Sequence, residues 1–323
     1  MKAIVVREFG DPDVMRLEEV ETPTPVGSEV LVKIEAAGVN PVDTYIRSGT
    51  HTIKPALPYT PGKDGAGIVE AIGEGVTKFK IGDRVFLTGS ITGTYAEFAL
   101  CYEEQLLTLP ENVGFDAGAG VWIPCATAYR ALFQRGRAVA GETVLIHGAS
   151  GAVGIAAIQF AKNAGLTVIG TASSDDGKQL AKDNGADAVF DHTDKAHFDA
   201  INTFTSGKGV DLIIEMLANE NLEHDFGVLA KFGRIVVVGN RGSLQFTPRL
   251  AMTKEADILG MSLFNANKSD MEKIHAAIGK GLADGFLKPQ IRRSYTLPEA
   301  AEAHRVVIEN KSSGKLVVLP FDQ

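Results

Sequence analysis

The sequence predicts an α/β chain in two parts, a β-rich region followed by a doubly wound parallel sheet flanked by helices. Three observations carry that expectation. Short apolar runs broken by glycine and proline turns fill residues 1 to about 124. Beyond Glu142, strand-like runs alternate with helical patterns of roughly ten residues, the signature of βαβ units. Where that alternation begins, Thr143 to His147 is an apolar run too short for a helix. It meets the turn Gly148-Ala149-Ser150-Gly151-Ala152-Val153-Gly154, after which Val153, Ala156, Ala157, Phe160 and Ala161 recur at helical spacing until Gly165.

In the first part, Lys2 to Arg7 is a candidate strand. Glu29 to Ala37 follows a turn of Pro23, Pro25 and Gly27 and alternates with period two, as a half-buried strand does. Asn40-Pro41-Val42-Asp43 opens a short helix, with Asn40 able to cap it and Pro41 suited to its first turn. Pro55, Pro58 and Pro61 rule out a central strand between Lys54 and Gly62. Gly65 to Ile72, Gly82 to Thr88 and Tyr95 to Leu100 then read as short strands of a partly open barrel or sandwich.

Thr127 to Arg135 is helical in pattern. Strands at Thr167 to Gly170, Ala188 to Phe190, Val210 to Glu215, Arg234 to Gly239 and Asp257 to Met261 continue the parallel sheet. Helices are expected at Asp175 to Asn184, around Phe198 to Thr205, at Leu222 to Leu229, at Met271 to Leu282, and from Pro298 to about Ile308. Lys315 to Leu319 is a closing strand whose composition matches the first part. Expected boundaries are therefore 1–124, 125–262 and 263–323, the last returning to the first domain.

Composition bounds the function. At 323 residues the chain is long enough for two cores. No stretch approaches the roughly 20 apolar residues of a membrane span, and the first residues resemble neither a leader nor an anchor. Two cysteines, Cys101 and Cys125, are too few for a disulfide scaffold or a four-cysteine zinc site and suit a cytoplasmic protein. A formal net charge of −8 with no basic run argues against broad nucleic-acid binding, while leaving room for a local cleft that takes one phosphate-bearing cofactor.

Strand, glycine turn and helix are the context that a dinucleotide fingerprint requires. Glycines let the backbone approach a pyrophosphate, and the helix start offers free N–H groups. The spacing Gly148-x-x-Gly151-x-x-Gly154 departs from the commonest form, and three glycines at a turn also occur for purely structural reasons.

Longer motifs are more specific. AGVNPVDTYIRSG (Ala37 to Gly49), LPYTPGKDGAGIVEAIGEGV (Leu57 to Val76), GDRV (Gly82 to Val85), YAEFAL (Tyr95 to Leu100), TAYRAL (Thr127 to Leu132), HGASGAVG (His147 to Gly154), IIEMLAN (Ile213 to Asn219) and GRIVVVGNRG (Gly233 to Gly242) occur in order. With them the chain resembles the zinc-free quinone oxidoreductase branch, zeta-crystallin-like, of the medium-chain dehydrogenase/reductase superfamily. The resemblance implies a GroES-like catalytic domain into which a Rossmann-type nucleotide-binding domain is inserted. Asn40 stands where zinc-dependent relatives have a catalytic cysteine, and Lys63 where they have a histidine. The loop with four structural cysteines is missing. A protonated lysine cannot ligate zinc, so no metal is expected. His192 and His197, five apart near Asp191 and Asp194, read as a solvated loop or a cofactor-edge contact.

The end of the second sheet strand bears on cofactor choice. NAD enzymes place an acidic residue there against the ribose 2′-hydroxyl. Here Thr171-Ala172-Ser173-Ser174 is neutral and hydroxyl-rich, with Lys178 one turn on, which favours NADPH. Asp175 and Asp176 cut the other way unless they point outward. Ser173, Ser174 and Lys178 also suit an N-cap with a solvated helix face. The resemblance adds Ser150, Gly151, Ala152, Val153 and Gly154 at the pyrophosphate. It places Tyr45 and Asn40 in the nicotinamide-side cleft between domains, Thr127 beneath it, and His192, Asn221, Val238, Gly239, Asn240, Arg241, Met261, Ser262 and Leu263 along the dinucleotide. Tyr45 also reads as a core aromatic, and Arg241 as a solvated turn.

The implied activity is NADPH-dependent reduction of a quinone or another small electrophilic acceptor, with Tyr45 and Asn40 as the candidate catalytic residues. A quinone is easily reduced, so loss of a Lewis acid is tolerable. The nearest rival is an enone or enoyl-thioester reductase on the same fold. An RNA-binding role, known among zeta-crystallin-like proteins, finds no basic-aromatic stripe to support it, and a lens structural role, also known there, would leave an intact phosphate turn unnecessary. The resemblance also implies a homodimer or homotetramer.

Overall fold

The structure, a computed structural model, describes residues 1–309 and 313–321. In chain order the strands are β1 (Lys2–Val6), β2 (Met15–Glu19), β3 (Glu29–Val39), β4 (Asp64–Ile72), β5 (Arg84–Leu87), β6 (Phe98–Tyr102), β7 (Leu106–Thr108), β8 (Thr143–Ile146), β9 (Thr167–Thr171), β10 (Ala188–Phe190), β11 (Val210–Glu215), β12 (Leu229–Val237), β13 (Asp257–Gly260), β14 (Ile291–Thr296) and β15 (Lys315–Leu319). The α-helices are α1 (Pro41–Arg47), α2 (Phe115–Ala119), α3 (Trp122–Tyr129), α4 (Ala152–Asn163), α5 (Asp175–Asp183), α6 (His197–Phe204), α7 (Ala218–Asp225), α8 (Arg249–Lys254), α9 (Lys268–Ala283) and α10 (Ala300–Ile308). Two compact units divide the chain: residues 1–123 with 289–323, and residues 124–288.

In the first unit, β3 is the spine. Along one edge it pairs with β4 over nearly its whole length, and along the other with β6 at its start and β15 at its last residues, all antiparallel. Small residues make this crowding feasible: a Cβ on Gly67 would lie 1.9 Å from the Lys33 carbonyl oxygen, so only glycine allows β4 to approach β3 there. Val30, Val32 and Ile34 turn inward with Val69, Val85 and Leu87, and α10 adds Ala300 and Ala303 to the same core.

The second unit is a six-stranded sheet in the order β10-β9-β8-β11-β12-β13, every pair parallel. This is the doubly wound order, reversing direction between β8 and β11. Strands covered on both faces need continuous apolar runs, and Leu145, Ile169, Ile213 and Ile235 supply a buried layer across four of them.

The division differs from the sequence-based one at its second boundary. Residues 263–288 cluster with the parallel-sheet unit. α9 buries Ile274, Ile278 and Leu282, Phe286 meets Phe160 edge-on at 5.8 Å, and the Gln159 side chain bonds both ways with the Lys288 backbone, at 3.1 and 3.0 Å. The expected helix at Leu222 to Leu229 lies earlier, as α7, and β12 has begun by Leu229.

Candidate functional site

Parallel strands deliver their carboxyl ends to one rim of a sheet, and ligands of such folds bind there, at the point where strand order reverses. The residues singled out in the second unit fall on that rim, apart from Thr127, which is buried on α3. Ser150, Gly151, Ala152, Val153 and Gly154 follow β8; Ser173 and Lys178 follow β9; His192 follows β10. Asn221 follows β11, Val238, Gly239, Asn240 and Arg241 follow β12, and Met261, Ser262 and Leu263 follow β13.

Within the turn the three glycines differ. Gly148 has φ +60°, the left-handed region that glycine enters freely. Gly151 begins α4 in extended geometry, and a Cβ there would meet only the Gly148 carbonyl oxygen, at 3.3 Å. A Cβ on Gly154 would lie 2.4 Å from that oxygen and 2.7 Å from Ala149 Cα. Gly154 is therefore required by the fold itself, whereas Gly151 leaves its outer face open. Gly239 is also constrained, with a Cβ only 2.2 Å from the Met216 carbonyl oxygen.

Behind the turn lies a buried polar group that sequence reading missed. His147 Nδ1 is 3.1 Å from Thr171 Oγ1, and its Nε2 is 2.9 Å from Asp225 Oδ1 and 3.6 Å from Glu215 Oε2. Glu215 also accepts from the Leu217 N–H and, at 3.2 Å, from Asn221 Nδ2. The ends of β8, β9 and β11 are thereby fastened to α7. Burial pushes Glu215 up to about 7, and Asp225 beside it adds to the rise; burial also raises Asp225 to about 7 and lowers His147. Burial thus disfavours the charged form of all three groups. Among the described residues this is the one group of three side chains able to hold a metal, with ligand atoms within 4.8 Å of one another.

At the end of β9, Ser174 caps α5, its Oγ accepting from the Gly177 N–H at 3.1 Å. A Cβ on Gly177 would lie 3.1 Å from Ser150 Oγ, so the phosphate turn and the start of α5 stand side by side. Lys178 Nζ is 2.9 Å from Asp175 Oδ1 and 3.3 Å from Asp191 Oδ2. Thr193 donates to Asp191 through its hydroxyl and its backbone N–H, and these bonds, with Lys178, hold that carboxyl down to about 2. His192 is exposed, while His197 is buried at the start of α6 with Nδ1 2.7 Å from the Asp194 carbonyl oxygen, which places it outside any solvated loop.

In the first unit, Tyr45 is half-buried on α1. The Asn40 backbone N–H donates to Asp43 Oδ2 at 3.0 Å, but its side chain makes no cap bond. It is drawn instead into a buried group: Nδ2 donates to Asp64 Oδ2 at 3.0 Å, and Oδ1 accepts from Lys315 Nζ at 2.6 Å. Lys315 Nζ is also 2.8 Å from Asp64 Oδ2, and Asp64 Oδ1 accepts from the Ile123 N–H at 3.0 Å. Thus an ammonium from the last strand fits between Asn40 and Asp64, beside the positions where the resemblance expects metal ligands to have been lost. No sequence signal tied Lys315 to that place.

A glycine turn at the switch point of a doubly wound sheet, with a β-rich companion unit, is the architecture of dinucleotide-dependent dehydrogenases and reductases. Residues 27–111 match the family model of the alcohol dehydrogenase GroES-like domain, and residues 152–279 that of zinc-binding dehydrogenase. The quinone oxidoreductase of Rattus norvegicus is 50% identical over 99% of this chain and 98% of its own. Among solved structures, a mycobacterial protein complexed with NADPH (TM-score 0.89, 30% identity, 99% of this chain and 100% of that one) and the Escherichia coli quinone oxidoreductase complexed with NADPH (TM-score 0.89, 27% identity, the same coverage) are similar. The chain belongs to the quinone oxidoreductase family of the medium-chain dehydrogenase/reductase superfamily.

Proposed function

We infer that the protein is an NADPH-dependent quinone oxidoreductase that works without zinc. The observation that carries the activity is the full-length identity of 50% to a quinone oxidoreductase, on a chain whose phosphate turn is intact. The residues fit the cofactor. Gly151 leaves space for a pyrophosphate, no acidic side chain occupies Thr171 to Ser174, and Lys178, whose backbone N–H donates to the Ser174 carbonyl oxygen at 2.9 Å, supplies a cation for a 2′-phosphate. Bound NADPH supplies the reducing equivalents. The chain's own work is to bind and orient: Ser150, Gly151, Ala152, Val153 and Gly154 at the pyrophosphate, Ser173, Lys178 and His192 at the adenosine end, and Asn221, Val238, Gly239, Asn240, Arg241, Met261, Ser262 and Leu263 along the rim. Thr127 and Tyr45 serve the nicotinamide end.

Tyr45 is the proposed donor to an acceptor oxygen as charge develops on it. Asn40 has a smaller share, since its amide oxygen and one N–H are taken by Lys315 and Asp64. The zinc-free reading rests on the Lys315 ammonium, which repels a cation from the Asn40–Asp64 pair. Purified protein with NADPH is expected to reduce benzoquinones and naphthoquinones far faster than alkenals or enoyl thioesters, and Tyr45→Phe to reduce turnover by less than tenfold. An enone that outpaces every quinone, with its turnover abolished in Tyr45→Phe, would move the protein to the enone reductases.

Cys101 and Cys125 are both buried, and two cysteines are too few for a disulfide framework, in keeping with a reducing cytoplasm. Among the described residues no helix is long and apolar enough to cross a membrane. β13 is a sheet edge with Ile258 40% exposed, suited to pairing with a second copy in a homodimer or homotetramer; a protomer-sized mass by light scattering at micromolar concentration would remove that assignment.

A further inference from the structure

Lys178 meets two carboxylates that differ in every respect except charge. Asp191 is about three-quarters buried, with a side-chain exposure of 28%, and both Thr193 donors fix it. Asp175 is 99% exposed, and its contact with Lys178 is the one bond described for its side chain. One partner is built into the loop after β10. The other rests on the lysine from the first turn of α5 and can swing into water by rotation about its own side-chain bonds.

We propose that Asp175 is an internal competitor for the 2′-phosphate of the dinucleotide, occupying Lys178 in the unliganded chain and leaving it when the phosphate binds. This rests on the assignment of Lys178 to that phosphate. Asp191 remains throughout as the fixed counter-ion of the ammonium. Asp175 then sets cofactor selectivity negatively. It weakens NADPH binding, because its pair with Lys178 must break, and leaves NADH binding alone, because NADH has no phosphate to exchange for it.

The consequence has a sign that a structural role would reverse. Were Asp175 needed to hold Lys178 in position, its loss would weaken NADPH binding. As a competitor, its loss strengthens it. The size is that of one exposed ion pair that no longer has to break, about three- to tenfold in affinity at low salt.

The test is a fluorescence titration of the full-length protein with NADPH and with NADH, for the wild type, Asp175→Asn, Lys178→Ala and the double variant. Expected are a three- to tenfold tighter Kd for NADPH in Asp175→Asn, an NADH affinity within twofold of the wild type, and loss of the gain in the Lys178→Ala background. Unchanged or weaker NADPH binding in Asp175→Asn, while Lys178→Ala still lowers NADPH affinity, overturns the competition alone. So does a gain that persists without Lys178, which would be plain repulsion. A Lys178→Ala variant with an unaltered NADPH to NADH ratio overturns the phosphate assignment, and the competitor falls with it.

Discussion

Each unit hides carboxylates in its interior, and the two units keep them by different means. In the first, Asp64 lies against Lys315, a side chain with its own positive charge, and the Asn40 amide bridges the two. In the second, the one ionisable partner described for Glu215 and Asp225 is His147, which burial drives toward neutrality, and burial raises both carboxyls to about 7. Asp43 shows the rule within the first unit: the Lys315 ammonium pairs with Asp64, and burial, with repulsion from Asp64, pushes Asp43 up to about 7 although Lys315 and Lys63 pull the other way. A buried carboxylate needs either a permanent cation or a proton. The first choice is broken by mutation, the second by pH.

The largest expected effect follows. Lys315→Met leaves Asp64 buried without a counter-ion and should destabilise the protein by about 3–5 kcal/mol in denaturant unfolding. Adding Asp64→Asn to it should restore a substantial part of the loss. Equal instability of the single and double variants would show that Lys315 acts through its packing and not its charge.

Glycines beside the two groups sharpen the contrast. A Cβ on Gly38 would lie 2.1 Å from the Ala119 carbonyl oxygen and 2.8 Å from both Asp64 Cβ and Lys315 Cε. Gly38→Ala should therefore cost about 1–3 kcal/mol through overpacking. Gly151→Ala, with its one near neighbour at 3.3 Å, should leave the melting temperature almost unchanged and weaken NADPH binding. A Gly151 variant that unfolds early but binds normally would reverse the assignment of the turn.

Taken group by group, the pH dependence is a modest effect. Glu215, Asp225 and Asp43 are raised in the folded state above their unfolded values, so the folded chain binds more protons than the unfolded one between about 4.5 and 7. Their contribution is full below the unfolded values and is lost as pH rises through about 7. Unfolding between pH 6 and 8.5 should show a decline of about 1–2 kcal/mol for each proton released. Glu215→Gln should flatten the part that belongs to the second unit, and Asp43→Asn that of the first. A slope untouched by both substitutions would place the titrating group elsewhere.

Much of the second unit could be read from sequence because its signals are local. β10 and β11 fall at the expected residues, since each is an apolar run closed by turn residues within a few positions. The phosphate turn is seven consecutive residues. β14 was missed because Ile291-Arg292-Arg293-Ser294-Tyr295-Thr296 buries only Tyr295 fully, leaving no alternation to detect. The two buried groups were missed for another reason. Lys315 is 251 residues from Asp64, and Asp225 is 78 from His147. Sheet topology joins them, and no spacing rule announces it. Asn40 was expected to cap α1 because its type and position suited that; a buried ammonium with a stronger claim on its side chain could not be foreseen.

The last strand has a consequence for how the protein is made. β15 closes the first unit against β3 and carries the cation that Asp64 requires, yet it is synthesised after the whole of the second unit. On the ribosome, residues 124–288 form one uninterrupted stretch that can fold as it emerges, while the earlier residues wait with an exposed β3 edge and an unneutralised Asp64. Completion of the first-made unit waits for β15, so a chain that stops before Lys315 has a parallel sheet that is whole and a β-rich half that lacks its closing strand.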